Sequence, residues 1–210
     1  MTFDLVLFDD LQSISKMAKE LGCSNYVIAG DFPSPKEADE LKKRFQQNKE
    51  LNLKTCKIFS TPSKEIAAYK GKADFTAFFP RDISSLNFAV NCRDIDLIIH
   101  PFSKNELLLD SASARIVAER EIPIAFLFSE FLVLEERERS LLMKNAMISA
   151  QFMQKFGCKA FFFSGARKAQ DMRVPEDLAF FAELFCFEKQ KITEFMDFED
   201  VFFSGEKNGP

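Results

Sequence analysis

The sequence predicts an α/β fold, a (β/α) barrel of seven strands that stays incomplete beside an eight-stranded one. Short, near-continuous apolar runs alternate with amphipathic helical stretches, the pattern of parallel strands buried on both faces. The alternation occurs seven times, and no clear eighth strand follows. Seven such units within 210 residues fit a distorted barrel better than an open doubly wound sheet.

Phe3–Phe8 reads as the first strand. Leu11, Ile14, Met17, Ala18 and Leu21 then recur at helical spacing until Gly22, which suits a left-handed helix end. Tyr26–Ala29 is the second strand. Ser34 with Pro35 at the first helical position and Glu37 three residues on predicts a capped helix, with Ala38, Leu41 and Phe45 on its buried face. Leu53–Phe59, Phe75–Phe79 and Leu97–His100 are the next three strands, with helices expected near 64–69, 83–90 and 111–119. Ile122–Phe128 is the sixth strand, a long helix covers roughly 135–156 up to Gly157, and Ala160–Ser164 is the seventh strand. Beyond Pro175, Leu178–Phe187 and Lys189–Met196 both read as helices. Residues 1–204 form one expected domain, and 205–210 a short polar tail.

The 26 Phe, against 2 Tyr and no Trp, predict core filling, because Phe has no polar handle for a ligand. The five cysteines form no CxxC pair and are odd in number, so reduced thiols in a cytoplasmic protein are expected. The start, MTFDLVLFDD, lacks the basic and long apolar segments of a signal peptide, and no run reaches the length of a membrane span. A net charge of -4 is unlike that of a strong nucleic-acid binder, so any such contact must come from a local basic rim. The segment around Phe195, Phe198, Phe202 and Phe203 is expected to pack onto the barrel.

Function in such barrels gathers at the C-terminal strand ends. These ends carry Asp9, Asp10, Asp31, Arg81, Asp82, His100, Glu130 and the run Ser164-Gly165-Ala166-Arg167-Lys168. A metal-dependent hydrolase needs several histidines with carboxylates, and this chain has only His100. There is no GxSxG elbow, Walker lysine motif or GxGxxG. In Ser164-Gly165-Ala166, small residues would let backbone N–H groups approach a phosphate, with Arg167 and Lys168 following at once. The same run reads equally well as a tight strand-to-helix turn with solvated charges. Arg115, Arg120, Arg137 and Arg139 stand beside acids on helices and read as solvated faces.

From DLIIHP (96–101) through Asp110, Ala114 and Ala118, the chain resembles ribonuclease P protein component 3, the archaeal relative of the eukaryotic thirty-kilodalton subunit. The likeness continues along the helix with Arg137, Arg139 and Asn145 into KFGCKAFFF and Ser164-Gly165-Ala166. It runs on through Met172-Arg173, Pro175 and Glu176-Asp177-Leu178. The resemblance implies a TIM-barrel-like fold akin to the polymerase and histidinol phosphatase (PHP) hydrolases, without their metal ligands. It implies a subunit that supports RNA-catalysed removal of the 5′ leader from precursor tRNA, with no catalytic residue of its own. No cofactor is expected on the protein, and Mg²⁺ would serve the RNA subunit. Expected partners are RNase P RNA, precursor tRNA, the ferredoxin-like RNase P protein component 2 and other RNase P proteins, with no membrane. Candidate RNA or phosphate contacts are Arg81, His100, Ser164, Gly165, Ala166, Arg167, Lys168 and Arg173. The residues leave two alternatives open, a PHP-type metal-dependent phosphoesterase and a phosphate-binding metabolic barrel.

Overall fold

Each strand of the sheet pairs with its neighbour in sequence, in parallel, from β1 through β7. The computed structural model describes residues 3–7 and 10–187. Within them the strands are β1 (Asp4–Val6), β2 (Asn25–Gly30), β3 (Asn52–Phe59), β4 (Phe75–Phe78), β5 (Leu97–Ile99), β6 (Ile124–Leu127) and β7 (Ala160–Phe163). The helices are α1 (Leu11–Leu21), α2 (Pro35–Gln46), α3 (Ile83–Asn91), α4 (Ser111–Glu119), α5 (Phe128–Leu132), α6 (Glu136–Phe156) and α7 (Pro175–Glu183). A parallel bridge between Val6 and Ala166 brings the two edges together, so the seven strands form a nearly closed, TIM-barrel-like cylinder. The gap left by an eighth strand is narrow, because the turn after β7 reaches back to β1.

Alternation along each strand divides the core in two. Val27 and Ala29 of β2 point into the barrel, while Tyr26 and Ile28 face α1 and α2. In β7, Phe161 and Phe163 stack inside with ring centroids 5.8 Å apart, and Phe162 points out to Phe126, Phe181 and Phe185. Phenylalanine thus fills both layers, each fully buried ring contributing about 1.5–3 kcal/mol.

Capping follows simple chemistry. Gly22 and Gly157 end α1 and α6 in the left-handed region, at φ 66° and 73°. Asp10, Asp82 and Asp110 cap α1, α3 and α4, each accepting N–H bonds from the first turn. Of the helical arginines read as solvated, Arg139 is exposed as expected and Arg120 is half-buried, and both hold backbone carbonyls. Arg120 donates to the carbonyls of Val90 and Cys92 at the end of α3, and Arg139 donates to Leu134 at 2.8 Å.

Several expectations need correction. The apolar run read as a strand through Phe128 stops at Leu127, and Phe128–Leu132 turns into the short helix α5. The helix expected near 64–69 is a 3-10 turn, Ile66–Tyr69. The helix after β7 begins at Pro175 and ends at Glu183. Cys186 is exposed, whereas Cys56 and Cys158 are buried. Asp9, the Lys189–Met196 helix, the Phe195–Phe203 segment and the tail lie outside the described residues. Among the described residues no helix is long and apolar enough to cross a membrane.

Candidate functional site

The turn after β7 is built around a buried carboxylate. Asp4 of β1 accepts the Ser164 N–H at 2.7 Å and the Ser164 hydroxyl at 2.5 Å. The Gly165 N–H donates to Leu5 O at 2.9 Å, the Ala166 N–H to Ser164 Oγ at 3.2 Å, and the Leu7 N–H to Ala166 O at 2.7 Å. From the other side, the Ser129 N–H and hydroxyl donate to the carbonyls of Ser164 and Gly165. Burial pushes the Asp4 carboxyl up to about 7, against the lowering pull of the Ser164 hydroxyl and N–H and of Arg173.

This geometry corrects the phosphate-cradle reading of Ser164, Gly165 and Ala166. All three are buried and their N–H groups are engaged in closing the barrel, so none is left for an anion. Gly165 is required twice over. Its φ is +58°, and a Cβ there would sit 2.7 Å from Ser129 Oγ and 2.8 Å from Leu127 Cβ.

The cations that follow are placed differently from one another. Arg167 is exposed and pairs with Glu130 at 2.6 Å, and Lys168 is exposed. Arg173 is half-buried, donates to the carbonyls of Gln170 and Met172, and lies 5.5 Å from the Phe128 ring centroid.

Across the mouth, His100 is set back from the open rim. It is 2% exposed and surrounded by the rings of Phe79, Phe102, Phe126 and Phe131. Its Nε2 accepts the Leu127 N–H at 2.6 Å, and burial lowers its pKa to about 4, so the ring is neutral near pH 7. The turn holds His100 at φ 47°, a conformation uncommon for a residue with a side chain. The ring borders a cavity of about 500 Å³ that is also lined by Phe79, Arg81, Phe102, Lys104 and Glu130. Arg81 is exposed, with its guanidinium 4.4 Å from the Phe79 centroid. The structure therefore brings Arg81 and His100 to one cavity and links Arg167 to its edge through Glu130. Ser164, Gly165 and Ala166 belong to the seam instead.

Sequence reasoning missed Asp4 and the Phe102–Lys104 wall. Asp4 stands at a strand position where a polar residue signals only a strand edge, and its partner lies 160 positions away.

Leu7, Ile58, Phe79, Leu127 and Phe163, from the C-terminal ends of five strands or just beyond them, pack together with the barrel interior. A metal centre at that mouth would need inward carboxylates and imidazoles, and these positions present hydrocarbon. Among the described residues no three His, Cys, Asp or Glu side chains gather to hold a metal. The described residues do not fit a PHP-type metal site. Fold and site together define a TIM-barrel-like protein whose mouth is plugged and whose polar groups lie around the rim.

The family described as RNase P subunit p30 matches residues 1–207. The chain belongs to that family, and its role is that of a subunit in tRNA processing. Among solved structures, a chain of the cryo-EM structure of an archaeal ribonuclease P with mature tRNA shares the fold. It has a TM-score of 0.80 at 19% identity, over 96% of this chain and 93% of that one. A crystal structure of an uncharacterised protein reaches a TM-score of 0.46 at 13% identity, over 80% of this chain and 45% of that one. No curated protein matches.

Proposed function

We propose that this chain works inside a ribonuclease P ribonucleoprotein in which RNA performs the cleavage of the precursor tRNA 5′ leader and the barrel alone is inactive. The observation that carries this reading is the apolar mouth. In a member of the RNase P subunit p30 family, the position where a barrel enzyme holds its reacting groups is filled with Leu7, Ile58, Phe79, Leu127 and Phe163.

The chemistry then falls to the RNA and its Mg²⁺, which supply an activated water and stabilise the leaving oxygen. The protein contributes cations that offset phosphate repulsion. Arg167 and Lys168 stand exposed where the chain leaves the seam. An acidic chain offers few such contacts, so a protein partner, RNase P protein component 2, would complete the basic surface. A cytoplasmic setting fits this role.

Reconstitution tests the proposal. The purified chain with Mg²⁺, Mn²⁺ or Zn²⁺ should leave precursor tRNA intact. Added with component 2 to RNase P RNA, it should lower the Mg²⁺ needed for half-maximal cleavage. Metal-dependent cleavage by the chain alone, or no effect of the pair on the RNA, would overturn it.

A further inference from the structure

The cavity beside His100 is separate from the seam and carries a feature that the seam lacks. Nε2 lies 2.6 Å from the Leu127 nitrogen and 3.2 Å from the Leu127 oxygen, and the shorter contact makes it an acceptor, which assigns the one N–H of a neutral imidazole to Nδ1. Nδ1 has no hydrogen-bond partner among the described residues, although the ring is 2% exposed. Among the described residues the enclosed side-chain atoms without a partner are the Tyr26 hydroxyl and Ser149 Oγ, so Nδ1 is not sealed off, and an acceptor in the cavity that His100 borders could reach it.

The rest of the lining narrows the chemistry of that acceptor. The Phe79 and Phe102 rings provide flat apolar walls, and the Arg81 guanidinium lies over Phe79 with no carboxylate in ion-pair range among the described residues. Two cations, Arg81 and Lys104, face two anions, Glu106 and Glu130, so the lining has no net charge. Lys104 is further tied to Glu138, and Glu130 to Arg167. A phosphate placed there would meet two carboxylates with little cationic surplus. A flat, neutral ring with polar edges suits the site better. About 500 Å³ is also in the range of small-ligand sites.

We propose that this cavity takes an unpaired nucleobase of an RNA strand, its face against the Phe79–Arg81 stack and its edge accepting the Nδ1–H of His100. The proposal rests on the RNase P reading and names the part of the RNA that this side of the rim receives. Splayed bases of single-stranded segments are bound in this way in proteins, on aromatic or guanidinium planes with hydrogen bonds to the base edges.

The test uses the reconstituted holoenzyme containing the full chain, probed with reagents that modify exposed base edges. With the wild-type chain, one unpaired nucleotide should be protected. In Arg81→Ala and in Arg81→Lys its reactivity should rise about tenfold, the effect of losing one base stack. Arg81→Lys keeps the charge but has no planar face, so protection that survives in this variant would mean a phosphate contact and would sink the proposal. A holoenzyme that cleaves normally with no base dependent on Arg81 would also overturn it, while leaving the RNase P reading intact. Failure of the complex to assemble or cleave would take down both. A second arm titrates the isolated chain with the four nucleoside monophosphates and follows methyl NMR signals of Leu134 and Leu142, which border the cavity. Saturation at micromolar concentration without base protection in the holoenzyme would reassign the cavity to free nucleotides and refute an RNA occupant.

Discussion

At the β1–β7 seam, the N–H groups of residues 164–166 and the Ser164 hydroxyl all have partners within the chain, whereas His100, after β5, keeps one nitrogen for a cavity. Both places looked alike in the sequence, a polar motif at the C-terminal end of an apolar strand. Their physics is opposite. The seam is a satisfied network that fixes the barrel, and such networks are costly to break. The His100 cavity leaves Nδ1 open to an acceptor, and the charges of its lining balance. Small residues beside cations are therefore poor evidence for an anion site until their N–H groups have been traced.

The sharpest way to break this comparison is Gly165→Ala. The added Cβ meets Ser129 and Leu127 below 3 Å at a positive φ, so stability should fall by about 3 kcal/mol. Urea unfolding measures it. A loss below about 1 kcal/mol, the middle of the range for ordinary substitutions, would show that the seam is looser than its hydrogen bonds imply.

Next in size, the two regions should respond to pH with opposite signs. Asp4 holds its proton more tightly folded than unfolded, so its contribution favours the fold below the usual carboxylate range and is lost as pH rises through about 7. His100 holds its proton less tightly when folded. Its contribution is present above the ordinary histidine value and is lost as pH falls toward about 4. Each group can impose a slope of up to about 1.4 kcal/mol per pH unit, and the windows overlap. Going from pH 5 to pH 7, Asp4→Asn should therefore gain stability relative to wild type, and His100→Gln should lose it. Unfolding free energies at the two pH values decide the matter. Shifts of the same sign in both variants would contradict the contrast.

The smallest effects separate the cations. Arg173 binds two carbonyls and lies over Phe128, so Arg173→Ala should cost about 1 kcal/mol of stability. Arg167 is 57% exposed in its pair with Glu130, and Arg167→Ala should stay within about 0.5 kcal/mol. If Arg167 also meets a phosphate, its loss should reduce the salt slope of RNA binding by about one unit. A binding series across salt concentrations with an unchanged slope would remove Arg167 from the RNA surface.

Much of the architecture was legible in the chain. The residue pattern around α4 predicted its observed bounds, and Gly22 and Gly157 marked helix ends because only glycine enters the left-handed region without strain. α5 was not legible, because five residues are too few to show a helical period and no side chain caps its start. The seam was hidden for another reason. A hydrogen bond between positions 4 and 164 leaves no local trace in either segment. The cavity was half visible. HP and Arg81 stood out as rim residues, but Phe79 and Phe102 read only as apolar filling, and their meeting depends on two different loops.

Closure by the turn after β7 also bears on how the chain is made. Every other strand pairing joins neighbours in sequence, so the sheet can grow strand by strand as the nascent polypeptide leaves the ribosome. β1 is the exception, since its second edge waits for residues 164–166. Until they emerge, that edge is an unpaired template beside a carboxylate without its partner, exposed to misassembly with other chains. Synthesis of the last strand is thus the step that retires the hazard, and slow translation before Ser164 should raise the dependence of this protein on chaperones.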